Sequence, residues 1–234
     1  MHRFWYRGHS CREFGIYASG DNAFNAPEWD HTAQSVPGRN GDLLFSEGRY
    51  KNITVAYPCF IRNKFAARAQ AARQWLLMDP SYHRLEDDYS PATFRLGFFA
   101  GPIDFDMRFL NRGGETEIAF ECKPQRFYKS GELPVTLAQS GAALHNPGFA
   151  ALPLVTVYGS GPGSLTVGGV TVQIKALEGS LTLDCELQDA YKGTENKNKD
   201  ILAPVFPTLP PGESAVYWTG GVQRVEITPR WWTL

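Results

Sequence analysis

The sequence has no apolar run of the roughly 18 residues that a membrane-spanning helix needs. Residues 1–12 mix arginines with aromatic side chains and lack an apolar centre, so we expect no signal peptide. The net charge is only −1, which argues against a general nucleic-acid-binding protein. With 43% hydrophobic residues over 234 positions, the chain is expected to be globular, with one or two cores and no membrane contact.

Cysteine is scarce, and its four positions are too far apart to form a Cys-x-x-Cys pair. Spacing of this kind predicts neither a disulfide framework nor a zinc site. Cys11, Cys59, Cys122 and Cys185 are therefore expected to be reduced, mostly buried thiols of a protein made in a cytosol.

Signatures of catalysis are also missing. There is no Gly-x-Ser-x-Gly elbow, and the glycine-rich residues 159–163 precede neither Lys-Ser/Thr nor a helix, so we expect no phosphate loop. The five histidines show no metal-ligand spacing. Asp104 and Asp106 share one face of a regular strand, and paired carboxylates can hydrolyse glycosides. Such pairs are more often solvated, so we expect no enzymatic activity, no metal and no cofactor.

The first half of the chain is predicted to hold strands and one helix. Between residues 52 and 62 apolar side chains alternate, which predicts a strand with one buried face, and Pro58 within it indicates an edge position or a bulge. A helix is predicted over residues 64–78, with Asn63 as a candidate cap. Its expected buried stripe consists of Phe65, Ala69, Ala72 and Leu76.

The pattern of the second half predicts short strands separated by turns, including a two-residue hairpin turn at Gly168-Gly169. This pattern favours a β-sandwich. The first domain is predicted to close at residues 123–126, and a run of small residues, Pro and Gly follows at 138–147. We expect an N-terminal domain at residues 1–137, a linker at about 138–147 and a C-terminal domain at residues 148–234.

One turn-rich stretch stands out, and its candidate residues are Val36, Pro37, Gly38, Arg39, Asn40, Gly41, Asp42 and Leu43. Pro-Gly and Asn-Gly make two turns in succession, with glycines supplying positive φ. The apolar run 43–45 that follows is expected to be a short buried strand. Residues 18–42 form a long irregular connection, which predicts an arm that packs against another part of the protein or a neighbouring chain.

Up to residue 140 the chain has 17 basic residues, 13 of them Arg, and 16 acidic residues. A nearly neutral, Arg-rich half is typical of a protein–protein interface, because Arg forms bidentate ion pairs. An ordinary charged, solvated surface explains the same numbers, so both interpretations remain open.

Taken in order, these stretches resemble the distal tail protein (Dit) family of long-tailed, non-contractile phages. The main motif is Val36-Pro37-Gly38-Arg39-Asn40-Gly41-Asp42-Leu43. Cys11 lies in a segment similar to the family's Ser-x-x-Phe-Gly-Ile, at a place where a small hydroxyl residue is usual. The similar segments are residues 11–16, 36–43, 50–62, 82–87, 120–126, 146–147, 184–186, 206–207 with 211–212, and 229–232.

The resemblance implies a mainly β fold, with a tail-tube-like N-terminal β domain containing one α-helix and a galectin-like C-terminal β-sandwich. It implies a non-enzymatic virion protein at the tail tip, assembled in the bacterial host cytoplasm as a homohexameric ring. The implied partners are the tail tube protein, the tail-tip, tail-associated or fibre protein, the tape measure protein, and DNA only in transit.

A second hypothesis is a sandwich that binds carbohydrate receptors through exposed aromatic rings. Trp218, Trp231 and Trp232 are the candidates, because such rings can stack on sugars. Late-strand tryptophans more often fill a core or a subunit contact. The chain also lacks the inserted carbohydrate-binding modules of longer members of the resembled family.

Overall fold

The computed structural model describes residues 2–19, 25–108 and 113–234. The chain divides into two compact units, one ending at Arg126 and the other running from Phe127 to Thr233. This division coincides with the predicted close of the first domain at residues 123–126 and not with residue 137. Within the described ranges, no helix has the length and apolar character needed to cross a membrane.

The first unit consists of short antiparallel strands and one α-helix. The helix α1 spans Phe65–Leu77, and a single 3-10 turn lies at Cys11–Phe14. The strands are β1 (Phe4–Tyr6), β2 (His9–Ser10), β3 (Ile16–Ala18), β4 (Trp29–Gln34), β5 (Leu43–Tyr50), β6 (Ile53–Arg62), β7 (His83–Asp87), β8 (Thr93–Phe98), β9 (Asp106–Arg108) and β10 (Gly113–Cys122).

Most of these strands form one sheet in the order β2-β1-β7-β8-β10-β6-β3, with β9 on β10, while β4 and β5 pair only with each other. The expected alternation in β6 is confirmed, because Ile53, Val55, Tyr57, Cys59 and Ile61 are all buried. The bulge predicted as one alternative at Pro58 is wrong, because β6 pairs with β10 in continuous register. The edge position fits, because β3 pairs with the other side of β6 only at residues 59–61 and leaves Pro58 at the end of that pairing.

The helix packs its predicted stripe into the core of this unit, since Phe65, Ala69, Ala72 and Leu76 are buried. The sequence prediction missed Trp75, which is also buried and stacks on Phe14 at 4.3 Å between ring centroids. The predicted Asn63 cap is wrong. Lys64 occupies the cap position with a left-handed backbone, and no side chain caps this helix end.

The second unit is all β apart from 3-10 turns at Lys129–Glu132 and Asn198–Asp200. Its first strand, β11 (Arg126–Tyr128), begins at the division. The others are β12 (Val135–Leu137), β13 (Ala142–Asn146), β14 (Leu154–Val167), β15 (Val170–Ile174), β16 (Glu178–Asp184), β17 (Asp189–Lys192), β18 (Glu195–Asn196), β19 (Ile201–Leu202), β20 (Gly212–Thr228) and β21 (Trp232–Thr233). Residues 138–147, expected to be a linker, contain β13, which pairs with β20.

Two long strands, β14 and β20, each change partners halfway along. Residues 154–160 of β14 pair with β16, and residues 163–167 pair with β15. β20 pairs with both halves of β14, and the register of this pairing shifts near Gly159 and Gly163. Register shifts of this kind let a sheet bend. The unit is therefore a sandwich made by one hydrogen-bonded sheet, β12 to β20, that curls around a single apolar core. The mainly β fold with one helix, the only α-helix in the described part of the chain, agrees with the prediction.

The expectation of buried, free thiols is confirmed for all four cysteines. Burial raises the pKa of Cys122 and Cys185 to about 12 and raises that of Cys11 and Cys59 above the ordinary value. Because the thiolate is the reactive form, we predict that Ellman's reagent modifies the native protein only as fast as the protein unfolds. In guanidinium chloride all four thiols should react at once; rapid reaction of any thiol before unfolding would contradict the prediction.

Candidate assembly hairpin

The turn-rich motif forms the tip of a β-hairpin made by β4 and β5. The strands pair antiparallel, with Gln34 opposite Leu43 and Trp29 opposite Tyr50. Residues 35–42 connect them. The arm expected over residues 18–42 is therefore an ordered hairpin from residue 29 onwards rather than an irregular segment, and it extends to residue 50. Residues 20–24 of that expected arm lie outside the described residues.

Of the two successive turns predicted at the tip, the first is confirmed by the backbone, and the second is a bend at Asn40 and Gly41. The amide of Arg39 donates to the carbonyl of Val36 at 3.1 Å, which closes a four-residue turn with Pro37 and Gly38 at its centre. Gly38 has φ +81° and Gly41 has φ +79°. Pro followed by a residue of positive φ is typical of a type II turn. The sequence of this loop therefore determines its shape.

The base of the hairpin is held by its own side chains. Trp29 and Tyr50 lie across from each other with ring centroids 4.1 Å apart. The Arg49 guanidinium contacts the Asp30 carboxylate at 2.7 Å. An extra pair of residues on β5, near Gly48, shifts the register here. A bulge of this kind increases the local twist of a hairpin. It also directs the residues beyond it at a different angle from the base.

The hairpin exposes apolar side chains on both of its faces. Leu44 is 66% exposed and Phe45 is 49% exposed. Phe45 shares one face with Leu43, and Leu44 lies on the other, because side chains alternate along a strand. The prediction that residues 43–45 form a buried strand is therefore wrong about burial and right about the strand. An isolated two-stranded hairpin is marginally stable in water.

Comparison with known proteins identifies the architecture of the chain. No protein-family model and no curated protein matches the sequence. Among solved structures, the SPP1 Dit protein superposes with a TM-score of 0.78 at 10% identity, over 100% of both chains. The chain has the Dit fold. The phage P2 baseplate in its activated conformation with Ca gives a TM-score of 0.53 at 7% identity, covering 97% of each chain, and the form with Sr gives 0.50 at 7%, covering 96% and 97%.

In this Dit fold the tryptophans suggested for sugar stacking do not form an exposed platform. Trp218 and Trp231 are buried in the sandwich core. Trp232 is half-buried, with its ring stacked on Phe149 at 5.0 Å, and its indole nitrogen donates to the carbonyl of Ala150. Their rings fill the core and the end of the sandwich, which is the alternative that the sequence left open.

The Dit fold likewise brings together no catalytic or metal-binding cluster among the residues described. No three His, Cys, Asp or Glu side chains are arranged there to hold a metal ion. Asp106 lies opposite Glu115 in the pairing of β9 with β10, and both residues are exposed, while Asp104 precedes β9. His2, His9 and His83 each lie within hydrogen-bond distance of a carboxylate, namely that of Asp88, Glu13 and Asp79 respectively.

Proposed function

We propose that this protein is a distal tail hub, a structural component of a phage tail tip that forms a hexameric ring between the tail tube and the tip or fibre proteins. The observation that carries the proposal is the Dit fold over the entire chain. SPP1 Dit is described as a paradigm of the hub adsorption apparatus in phages that infect Gram-positive bacteria. A second similar structure is a phage baseplate.

In this proposal the N-terminal unit is tail-tube-like and lies around a central channel, and the sandwich is galectin-like and lies outside. The partners are further copies of the chain, the tail tube protein, the tail-tip or fibre protein and the tape measure protein. DNA passes through the channel without being retained. A net charge of −1 suits that role, because a strongly basic wall would bind phosphates tightly. Reduced thiols are compatible with assembly in a bacterial cytoplasm.

The hairpin of β4 and β5 is the part of the chain best suited to contact a neighbouring subunit. Its exposed Leu44 and Phe45 would lose their contact with water if a neighbour covered them. In a head-to-tail ring the patch on one subunit meets a different patch on the next, and closure depends on the rotation between them. A hairpin that contacts the next subunit supplies one such patch, and the shaped tip would fix its direction.

Replacing Gly38 and Gly41 together with Val should impair ring assembly more than it affects the fold. Both glycines have positive φ, and a non-glycine residue there costs roughly 1–2 kcal/mol each. A Cβ at either position meets nothing within 4 Å, so the cost falls on the loop shape alone. We expect a fall in melting temperature no larger than that of a control with the same backbone penalty, and a clear loss of hub incorporation into tails, measured by cryo-electron microscopy of tails assembled with the variant.

A matched control is the double replacement of Gly179 and Gly193 with Val in the sandwich. These glycines also have positive φ and open space around Cβ, so the backbone penalty is similar. Tails carrying this variant should assemble normally. In wild-type tails, six copies at the distal end of the tube would support the proposal. A protein found in the head or along the whole tube would overturn it. If tails assemble equally well with both double variants, the hairpin does not contribute the proposed subunit contact.

A further inference from the structure

The tip of the hairpin contains a chemically labile pair of residues, Asn40 and Gly41. It is the only place in the sequence where glycine follows asparagine. Asparagine is thermolabile, because the backbone amide nitrogen that follows it can attack its side-chain carbonyl carbon. Glycine hinders this attack least, since it has no Cβ and the freest backbone. Whether the reaction occurs in a folded protein therefore depends on how firmly the fold holds these two groups.

Within the described part of the chain, no hydrogen bond restrains this pair. Asn40 and Gly41 are both exposed and lie in a bend. The turn that the Arg39 amide closes ends before them, and the strand pairing resumes only at Leu43. Among the described residues the Asn40 side chain has no partner, and the Gly41 amide donates no hydrogen bond. A Cβ at Gly41 would meet nothing within 4 Å, so there is room for a ring to form.

Other exposed asparagines lack this combination and provide internal controls. Asn63 is exposed, but Lys64 follows it and carries a Cβ. Asn198 is also exposed and is followed by a lysine, and its Nδ2 donates to Asp189 Oδ1 at 2.7 Å. Exposure alone therefore does not distinguish Asn40. The following glycine and the free side chain do.

We propose that Asn40 is a site of spontaneous modification, where asparagine converts to aspartate and isoaspartate. The Gly41 nitrogen loses its proton to a solvent base and bonds to Cγ of Asn40. The bond from Cγ to Nδ2 then breaks, and ammonia leaves. The cyclic succinimide that remains takes up one water molecule. Opening at the side-chain carbonyl yields aspartate, and opening at the main-chain carbonyl yields isoaspartate, whose backbone runs through Cβ and Cγ.

The conversion changes both the charge and the length of the tip. Residues 35–42 contain one basic side chain, Arg39, and one acidic side chain, Asp42, so their formal charge falls from 0 to −1 when Asn40 becomes an acid. Isoaspartate also adds one atom to the backbone, directly after the turn that shapes the loop. We expect the converted chain to enter tails less well. This loss rests on the hub proposal, whereas the conversion itself does not.

The test incubates the full chain and maps its peptides by mass spectrometry, which detects the exchange of an amide for an acid. Isoaspartyl methyltransferase labels the isoaspartate. We expect conversion at Asn40, while Asn63 and Asn198 in the same digest stay intact. Between about pH 6 and about pH 8 the rate should rise about tenfold per pH unit, because the deprotonated fraction of a group far below its pKa does so. Asn40→Gln should stay unmodified, since its longer side chain would have to close a larger ring.

Conversion at Asn40 that outpaces both controls supports the site. An Asn40 that stays as intact as Asn63 at about pH 8 overturns it, and so does equally fast conversion of Asn198. The consequence is tested by assembling tails with fresh and with incubated chains. Incubation should reduce the incorporation of wild type and leave that of Asn40→Gln at its own fresh level. Equal incorporation of fresh and converted wild type overturns the effect on assembly alone, and fresh wild type that is absent from the tail tip overturns the hub proposal alone.

Discussion

Gly221→Ala is expected to unfold the sandwich. A Cβ at Gly221 would lie 1.8 Å from the carbonyl oxygen of Ser160, and a Cβ at Gly159 would lie 2.0 Å from that of Gly221. Backbone meets backbone here, so no side chain can rotate away to relieve the overlap. The register between the paired strands β14 and β20 shifts at this point. We expect a loss of more than about 4 kcal/mol in the free energy of unfolding, measured by denaturant titration of the full chain followed by circular dichroism.

Gly161→Ala in the same glycine-rich segment is the matched control. Gly161 also has positive φ, at +84°, but its Cβ would meet nothing within 4 Å. Only the backbone penalty of roughly 1–2 kcal/mol remains. A Gly221→Ala variant as stable as Gly161→Ala would show that the two strands can separate here at little cost. That result would contradict the expected effect of the overlap between Gly221 Cβ and the Ser160 carbonyl oxygen.

The glycine-rich residues 159–163 illustrate what a sequence can and cannot predict. The absence of a following Lys-Ser/Thr and of a helix was enough to argue against a phosphate loop. The actual requirement for Gly159 and Gly163 comes from the carbonyl oxygens of Gly221 and Thr219, which lie about 60 positions later in the chain. Such a pairing depends on the register of two long strands, and no local pattern contains that information.

The local periodicities were predicted well because burial on one face repeats within a short window. The alternation in β6 and the stripe of α1 are examples. The domain boundary was harder to predict from the sequence. Small residues, Pro and Gly at 138–147 are typical of a linker, yet residues 142–146 pair with residues 212–216 of β20. A composition that suits a linker also suits a short strand, and only the distant partner decides between them.

The sequence predicted the backbone shape of the candidate site, but it did not predict which part of the protein or of a partner covers it. Pro-Gly and Asn-Gly determine the turns at the tip of the hairpin, so the positive φ values at Gly38 and Gly41 follow from local chemistry. The apolar run at residues 43–45 predicts a strand, but burial requires something to cover it. No part of the described chain buries Leu44 and Phe45. In the hub proposal the cover belongs to another subunit, which one sequence does not reveal.

Asp184→Asn should destabilise the sandwich by about 2–3 kcal/mol, because it removes the better-buried of the two carboxylates that contact the half-buried Arg230 guanidinium. Arg230 holds the Asp184 carboxylate with two hydrogen bonds, of 2.8 and 3.0 Å. The Asp184 side chain is 7% exposed and also accepts from the amides of Glu186 and Leu187. Asn retains one acceptor for these amides, but its amide nitrogen replaces the oxygen that accepts from Arg230 Nη2, so the loss combines the charge with one hydrogen bond. Glu186→Gln is the control, since that carboxylate is 61% exposed and should contribute less than about 0.5 kcal/mol.

The same pair gives the sandwich a specific pH dependence. The hydrogen bonds from Arg230, more than any other cause, hold the pKa of Asp184 below its ordinary value of 3.8. A carboxyl whose folded-state pKa is depressed stabilises the protein above its unfolded-state pKa, and this contribution is lost as the pH falls through the folded-state pKa. The stability difference between wild type and Asp184→Asn should therefore be constant from pH 7 to about pH 5 and shrink below about pH 4. Urea titrations of both proteins across this range measure it. A difference that stays constant down to about pH 2 would show that Asp184 acts through its shape rather than its charge, because the carboxyl of the unfolded chain takes up a proton near pH 3.9, at about its unperturbed pKa.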